Sequence, residues 1–178
     1  MIDKFFSIII LFITFPFLLI AIFMIICDDG LPFIFKQKRI GLNGRLFYIY
    51  KLRTMKVNSP QLASSIIDGK YYILKSGYLF RKLSVDEVPN FINVLKGDMK
   101  IIGPRPLLFN QYNLISIRKK LGIDKIKPGI TGWAQINGGD NISEKEKIEL
   151  DKYYIENKSI MLDIIIILKT IQNFFKNK

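Results

Sequence analysis

The chain has no histidine and one cysteine, Cys27, in 178 residues. Without imidazole, the side chain that most often moves protons near neutral pH is missing, so carboxylates must carry any acid, base or nucleophilic role. A lone cysteine excludes an intramolecular disulfide and offers no thiolate cluster to a metal. Acidic residues are also scarce, 15 against 27 lysines and arginines, for a formal net charge of +12. Such an excess calls for an anionic partner: nucleic acid, acidic lipid head groups or a phosphorylated substrate. There is no internal repeat and no linker that would set off a second soluble unit, and the length suits one modest domain.

Apolar residues are abundant. They make up 49% of the chain, high for so charged a protein, and they imply a membrane. Phe5 to Cys27 is an uncharged run of 23 residues, and about 20 suffice to span a bilayer. Pro16 in its middle frees a carbonyl and kinks a helix, so a kinked span and a re-entrant hairpin both fit. No small-residue cleavage site precedes Asp28, which argues against a cleaved signal peptide. Lys36 to Lys56 then carries seven basic residues and no acid, which places the body of the chain, 28–178, in the cytoplasm by the positive-inside rule. Within it, Phe33 to Lys38 and Arg45 to Leu52 read as strands about the turn Gly41-Leu42-Asn43-Gly44. Two uses fit this basic hairpin: holding anionic lipid heads or lining a polyphosphate site.

Val57 to Ser76 is polar and irregular, a surface loop with the makings of a substrate lid. Gly77 to Leu83 reads as a short helix. Arg81 to Pro106, RKLSVDEVPNFINVLKGDMKIIGPRP, is the stretch in which chemistry is expected. Pro89 is harmless only in the first turn of a helix, so the helix through Phe91, Ile92 and Leu95 is expected to start near Asp86. That start would give Asp86 and Glu87 the free N–H groups and partial positive charge that favour a phosphate or an ionised nucleophile. Ser84 and Glu87 equally fit a capping box, the structural alternative for the same acids. Arg105, framed by Pro104 and Pro106, has little conformational freedom left to lose on gripping a phosphate. Leu107 to Leu121 is expected to be helical. Lys125 to Ser143 reads as a loop with four glycines and the sole tryptophan; such a loop can turn successive N–H groups to an anion, and Trp133 could stack on a base or enter an interface. A second capping box, Ser143 with Glu146, opens a helix through Tyr154. Ile160 to Lys178 is too interrupted to span and suits a helix lying in the interface.

The succession FKQKRIGLNGRLFYIYKLRTM, LFRKLSVDEVPNFINVLKGDMKIIGPRPLL, KPGITGWAQINGGDNIS and ELDKYYIENKSIMLDIIIILKT resembles the bacterial sugar transferase family, the small monotopic phosphoglycosyl transferases. The resemblance covers almost the whole chain. It implies transfer of a sugar 1-phosphate from a UDP-sugar to a polyprenyl phosphate such as undecaprenyl phosphate, with release of UMP, at the bacterial inner membrane on its cytoplasmic face. Asp86 would be the nucleophile and Glu87 its partner acid, the two also holding Mg²⁺. Arg105 and the basic residues Lys51 and Arg53 of YKLRTM would contact substrate phosphate. The implied fold is α-rich with a small β hairpin: a re-entrant membrane helix, 1–27, broken at Pro16, and one cytoplasmic domain with interfacial amphipathic helices. Two positions depart from the family pattern, Phe15 where a serine precedes the proline and Gly139 where an arginine is common. The rival from another class is a non-enzymatic membrane-anchored basic module that binds anionic lipid or nucleic acid; the enzyme reading implies no nucleic-acid partner.

Overall fold

An uncharged apolar run has to fold as a helix wherever water cannot satisfy its backbone, and the first element is a helix of 28 residues. In the computed structural model, which describes residues 1–59 and 69–176, α1 runs Ile2–Asp29 with Pro16 inside it. The backbone is helical through Pro16, and in the preceding turn the Thr14 hydroxyl donates to the Ile10 carbonyl at 2.6 Å. Ser7, Ala21 and Ile25 are buried, whereas Phe12, Phe15, Leu19 and Phe23 stand exposed on other sides. Both ends are tied to the rest of the chain. Asp3 accepts the Ile101 N–H at 3.2 Å, and Asp28 accepts the Ser76 N–H at 2.8 Å. Among the described residues α1 is the one helix long and apolar enough to cross a membrane.

The hairpin forms as its turn residues require. β1 (Ile34–Ile40) and β2 (Leu46–Leu52) are antiparallel with Gln37 opposite Ile49, joined by a tight turn in which Asn43 and Gly44 take positive φ. Side chains alternate across a strand, so the hairpin's charge divides. Lys36 and Lys38 lie over the rings of Tyr50 and Tyr48 on one face, while Arg39 and Lys51 share the other.

α2 (Lys75–Lys82) and α3 (Asn90–Lys96) follow. α3 is stitched to the hairpin by Asn93, fully buried, which accepts the Tyr50 N–H at 3.1 Å and donates to the Tyr48 carbonyl at 2.7 Å. One amide thus supplies the partner that the edge of β2 would otherwise lack. Beyond α3, β3 (Lys100–Ile102) pairs in parallel with β5 (Gly129–Thr131), and β4 (Leu107–Leu108) adds to β1. The sheet therefore exceeds the expected hairpin: three strands in the order β2-β1-β4, with a separate parallel pair. The expected helix from Leu107 is corrected accordingly. Leu107 first pairs with Ile40, and α4 spans only Tyr112–Lys120.

The glycine-rich stretch is likewise not a loop. It contains β5, α5 (Trp133–Ile136) and a 3₁₀ turn, Gly139–Asn141. Gly129 and Gly103 touch so closely that a Cβ on Gly129 would lie 2.1 Å from the Gly103 nitrogen. The Gly129 N–H serves the Pro104 carbonyl and the Gly103 N–H the Thr131 carbonyl, so these donors hold the chain together rather than facing an anion. Trp133 stacks on Tyr153 at 5.6 Å. α6 (Glu144–Glu156) opens with Ser143 in a complete capping box, and α7 (Ile160–Lys176) closes the fold. The core lies in three clusters: Ala21 and Ile25 of α1 with Leu52, Leu74 and Phe80; Ile49, Val94 and Met99; and Tyr154, Leu162 and Ile166. The molecule is mostly helical with little sheet. The loop expected from Val57 to Ser76 ends in a 3₁₀ turn at Gly69–Tyr72 and the first residues of α2, and its portion 60–68 lies outside the described residues.

Candidate active site

The acid pair does not open the helix as expected. Asp86 and Glu87 sit on a separate 3₁₀ turn, Val85–Glu87, and α3 begins only after Pro89. Ser84 has φ 50° and makes no side-chain cap, so the first capping box is not formed. A non-glycine residue in the left-handed region costs about 1 kcal/mol and is held only where the surroundings demand it. What demands it is the next residue but two. Glu87 is drawn to Lys51, whose ammonium donates to its Oε1, instead of folding back onto Ser84.

Two adjacent carboxyls here have opposite electrostatics. Burial, and then the charge of Glu87, pushes the Asp86 carboxyl up to about 6 against the pull of Lys51 and Arg81. Burial alone would raise Glu87 too, but Lys51, Arg105 and Arg39 outweigh it and hold Glu87 below the usual carboxylate range. The pair is thus divided between a Glu87 that its cations favour as the anion and an Asp86 more basic than normal, which suits a nucleophile.

Arg105, exposed on its proline-framed turn, shares a small cavity with Lys51, Glu87, Arg39 and Asn90. Its peptide is fixed from behind: Arg118 donates to the Arg105 carbonyl at 2.7 Å and to buried Asp151 at 2.5 Å. The cavity has a volume of about 10 Å³, enough for a single water or ion. Asn90 Oδ1 is buried there without a hydrogen-bond partner. Glu87 and Asn90 bring oxygens to this gap, but Lys51, Arg39 and Arg105 line it too, so its charge suits a phosphate oxygen, and a divalent cation fits only with a substrate's phosphates beside it to offset those cations.

Arg53 does not join this group. Its guanidinium is 5% exposed and reaches Asp29 Oδ2 at 2.8 Å, the Asp29 carbonyl at 3.1 Å and the Gly30 carbonyl at 2.6 Å. The expectation of a phosphate contact is replaced by a clamp on the end of α1, where a cation meets free helix carbonyls. Sequence reasoning in turn passed over Arg39, whose Nη1 donates to the Pro106 carbonyl at 3.0 Å. The signal was available: in the register set by the turn, Arg39 and Lys51 fall on one face of the hairpin. Asn90 and Arg118 carried no such signal.

Three cations, Lys51, Arg39 and Arg105, converge on Glu87, an arrangement whose charge suits phosphate-bearing groups. The chain belongs to the bacterial sugar transferase family, whose model matches residues 1–177. It is 45% identical over 143 residues to the uncharacterized sugar transferase EpsL of Bacillus subtilis, covering 80% of this chain and 70% of that one. It is 40% identical over 164 residues to the UDP-N-acetylgalactosamine-undecaprenyl-phosphate N-acetylgalactosaminephosphotransferase of Aeromonas hydrophila, and 39% over 155 residues to the UDP-glucose:undecaprenyl-phosphate glucose-1-phosphate transferase of Escherichia coli. These alignments take in 88% and 83% of this chain but only 38% and 33% of those two proteins.

Proposed function

We propose that this protein transfers a sugar 1-phosphate from a UDP-sugar to undecaprenyl or a related polyprenyl phosphate, through a phospho-sugar carried on Asp86. The observation that carries the reading is geometric: Lys51, Arg39 and Arg105 gather around Glu87 at one gap, and Asp86 is the adjoining residue. The Asp86 carboxylate attacks the phosphorus that bears the sugar, its P–O bond to the nucleotide breaks, and UMP leaves with the electron pair. An oxygen of the polyprenyl phosphate then attacks the same phosphorus, the acyl–phosphate bond breaks, and Asp86 returns as a carboxylate. No proton need move in either step, which accords with a chain without histidine. Arg105 and Lys51 neutralise and align the phosphoryl oxygens, the main demand of such transfers. Asp86 and Glu87, with Asn90 beside them, would hold Mg²⁺, which when bound supplies charge against the diphosphate.

A membrane seat follows from α1 and α7. Anchoring of both ends of α1 to one body through Asp3, Asp28 and Asp29 supports a helix that enters the bilayer and returns, with the catalytic body on the cytoplasmic face. On α7, Ile160, Ile164, Ile167, Ile171 and Phe175 are exposed at helical spacing, an apolar face suited to lying in the interface. Lys36 and Lys38 on the outer hairpin face are placed to meet anionic head groups.

The test is UMP release in nanodiscs with Mg²⁺, undecaprenyl phosphate and UDP-sugars offered singly. UMP is expected with one or a few donors, and Asp86→Asn should lower the rate by more than about 10³-fold with the fold intact. Two in-line displacements also require net retention of configuration at phosphorus. Release of UDP, inversion, or an active Asp86→Asn variant would refute the mechanism.

A further inference from the structure

The carbonyls of Pro104, Arg105 and Pro106 are each taken by a different element. The Gly129 N–H of β5 serves Pro104 at 2.9 Å, Arg118 of α4 serves Arg105 at 2.7 Å and Arg39 of β1 serves Pro106 at 3.0 Å. The Arg105 side chain itself is exposed and lines the gap beside Glu87, so the fold fixes its root and leaves its tip to a ligand. We propose that Arg118, held by Asp151, is a positioning residue for transfer: it sets the direction from which the Arg105 guanidinium meets the phosphoryl oxygens, without touching substrate. The proposal rests on the phosphate role given to Arg105 above and adds to it the buried pair that aims that residue.

The side chain and the carbonyl of Arg105 leave the same Cα, so a turn of its peptide redirects the guanidinium. Pro106 confines Arg105 to the extended region, which is a broad basin, and the Arg118 donor selects one orientation within it. A guanidinium suits this task because its two Nη groups lie in one rigid plane. One is on Asp151 Oδ2 at 2.5 Å and the other on the Arg105 carbonyl, so the first bond sets the direction of the second. An ammonium could serve either acceptor but would not relate them. Stability alone does not account for the pair. Asp151 is 1% exposed, Arg118 Nε is buried without a hydrogen-bond partner, and a buried ion pair is commonly no more stabilising than an apolar pair of the same volume. Placement of a phosphate ligand is more demanding: a shift of about 1 Å can cost about 10²-fold in rate.

The experiment is a double-mutant cycle on kcat/KM for UMP release by the full chain in nanodiscs, with folding followed by thermal unfolding. Arg118→Met combined with Asp151→Leu replaces the pair by apolar groups and leaves no charge unpaired. It is expected to fold, with kcat/KM down by about tenfold or more. Arg118→Lys, which keeps a charge for Asp151, should also lose activity, though less. The decisive step repeats both changes in an Arg105→Met background. With no guanidinium left to aim, each should there cost less than about twofold, whereas damage to the fold at large would cost the same factor in both backgrounds. Equal losses in the two backgrounds, or full activity in the apolar pair and in Arg118→Lys, would overturn the positioning role and leave the transfer reaction standing. Arg105→Met as active as wild type would remove the phosphate role of Arg105 and this inference together.

Discussion

Two cations leave the end of β2 two residues apart, Lys51 towards the acid pair and Arg53 towards the last turn of α1. Both belong to the run YKLRTM and both end on a carboxylate, Glu87 for one and Asp29 for the other. What separates them is how many acceptors each finds. Arg53 meets one carboxylate oxygen and two backbone carbonyls at the end of α1. Lys51 meets a single glutamate oxygen, beside an ion-sized gap and an unpartnered amide oxygen. A cation whose donors have several protein acceptors holds structure; one that retains donors beside unsatisfied oxygens can take part in binding.

Substituting each cation should separate the two roles. Arg53→Met leaves Asp29 without its partner and the α1 carbonyls uncapped, and removing one half of a buried pair costs a few kcal/mol. With Asp29 still partly exposed, about 2–3 kcal/mol is expected, seen as a fall in melting temperature. Addition of UMP should not restore what is lost, because the clamp lies away from the site. Lys51→Met should act chiefly on transfer: a loss of about 10–100-fold in kcat/KM, with about 1–2 kcal/mol of stability lost because Glu87 is left without its ammonium but keeps Arg105 and Arg39 near. If Lys51→Met unfolded the protein and Arg53→Met only slowed transfer, the assignment of the two residues would have to be exchanged.

The acid pair offers a finer test of the same contrast. A carboxyl raised from its ordinary value to about 6 is one that the fold prefers neutral. Its contribution to stability is full below the unfolded value near 4 and is lost as the pH rises through 6. Asp86→Asn, permanently neutral, should therefore be more stable than wild type at pH 7.5 by about 1–2 kcal/mol, allowing for partial exposure. That gain should vanish by pH 4, measured by thermal unfolding in EDTA. In the transfer assay the same group predicts that kcat/KM for wild type rises through pH 6 and then levels. A variant less stable than wild type at pH 7.5 would mean that Asp86 is held as an anion like its neighbour.

Where local chemistry decides conformation, the fold was legible. The hairpin followed from its Asn-Gly turn, and α6 from Ser143 and Glu146. Long-range pairing was not legible. Nothing local shows that Gly129 will lie against Gly103, so a parallel strand pair looked like a glycine loop, and Leu107 joined a sheet because Ile40 was waiting for it. Of the expected site residues, Glu87, Lys51 and Arg105 line one cavity and Asp86 adjoins Glu87, while Arg53, expected there from the resemblance of YKLRTM, is turned to Asp29. The position of Asp29 at the end of α1 distinguishes Arg53 from Lys51.

The pattern S-x-x-E occurs at Ser84 and at Ser143, and the two copies part for the same reason as the two cations. At Ser143 no ion pair holds Glu146 among the described residues; it turns back, accepts the Ser143 N–H at 2.8 Å, and the box closes. At Ser84 the equivalent Glu87 is taken by Lys51, and the backbone enters the left-handed region. Ser143→Ala should therefore cost about 1 kcal/mol. Ser84→Gly should gain a few tenths of a kcal/mol or more, because glycine occupies positive φ freely. The opposite sign is expected if Ser84 were a cap, since replacing a capping serine by glycine costs a few tenths. A double variant with Lys51→Met sharpens the point: with its partner gone, Glu87 is free to turn back to Ser84, and the gain from Ser84→Gly should shrink.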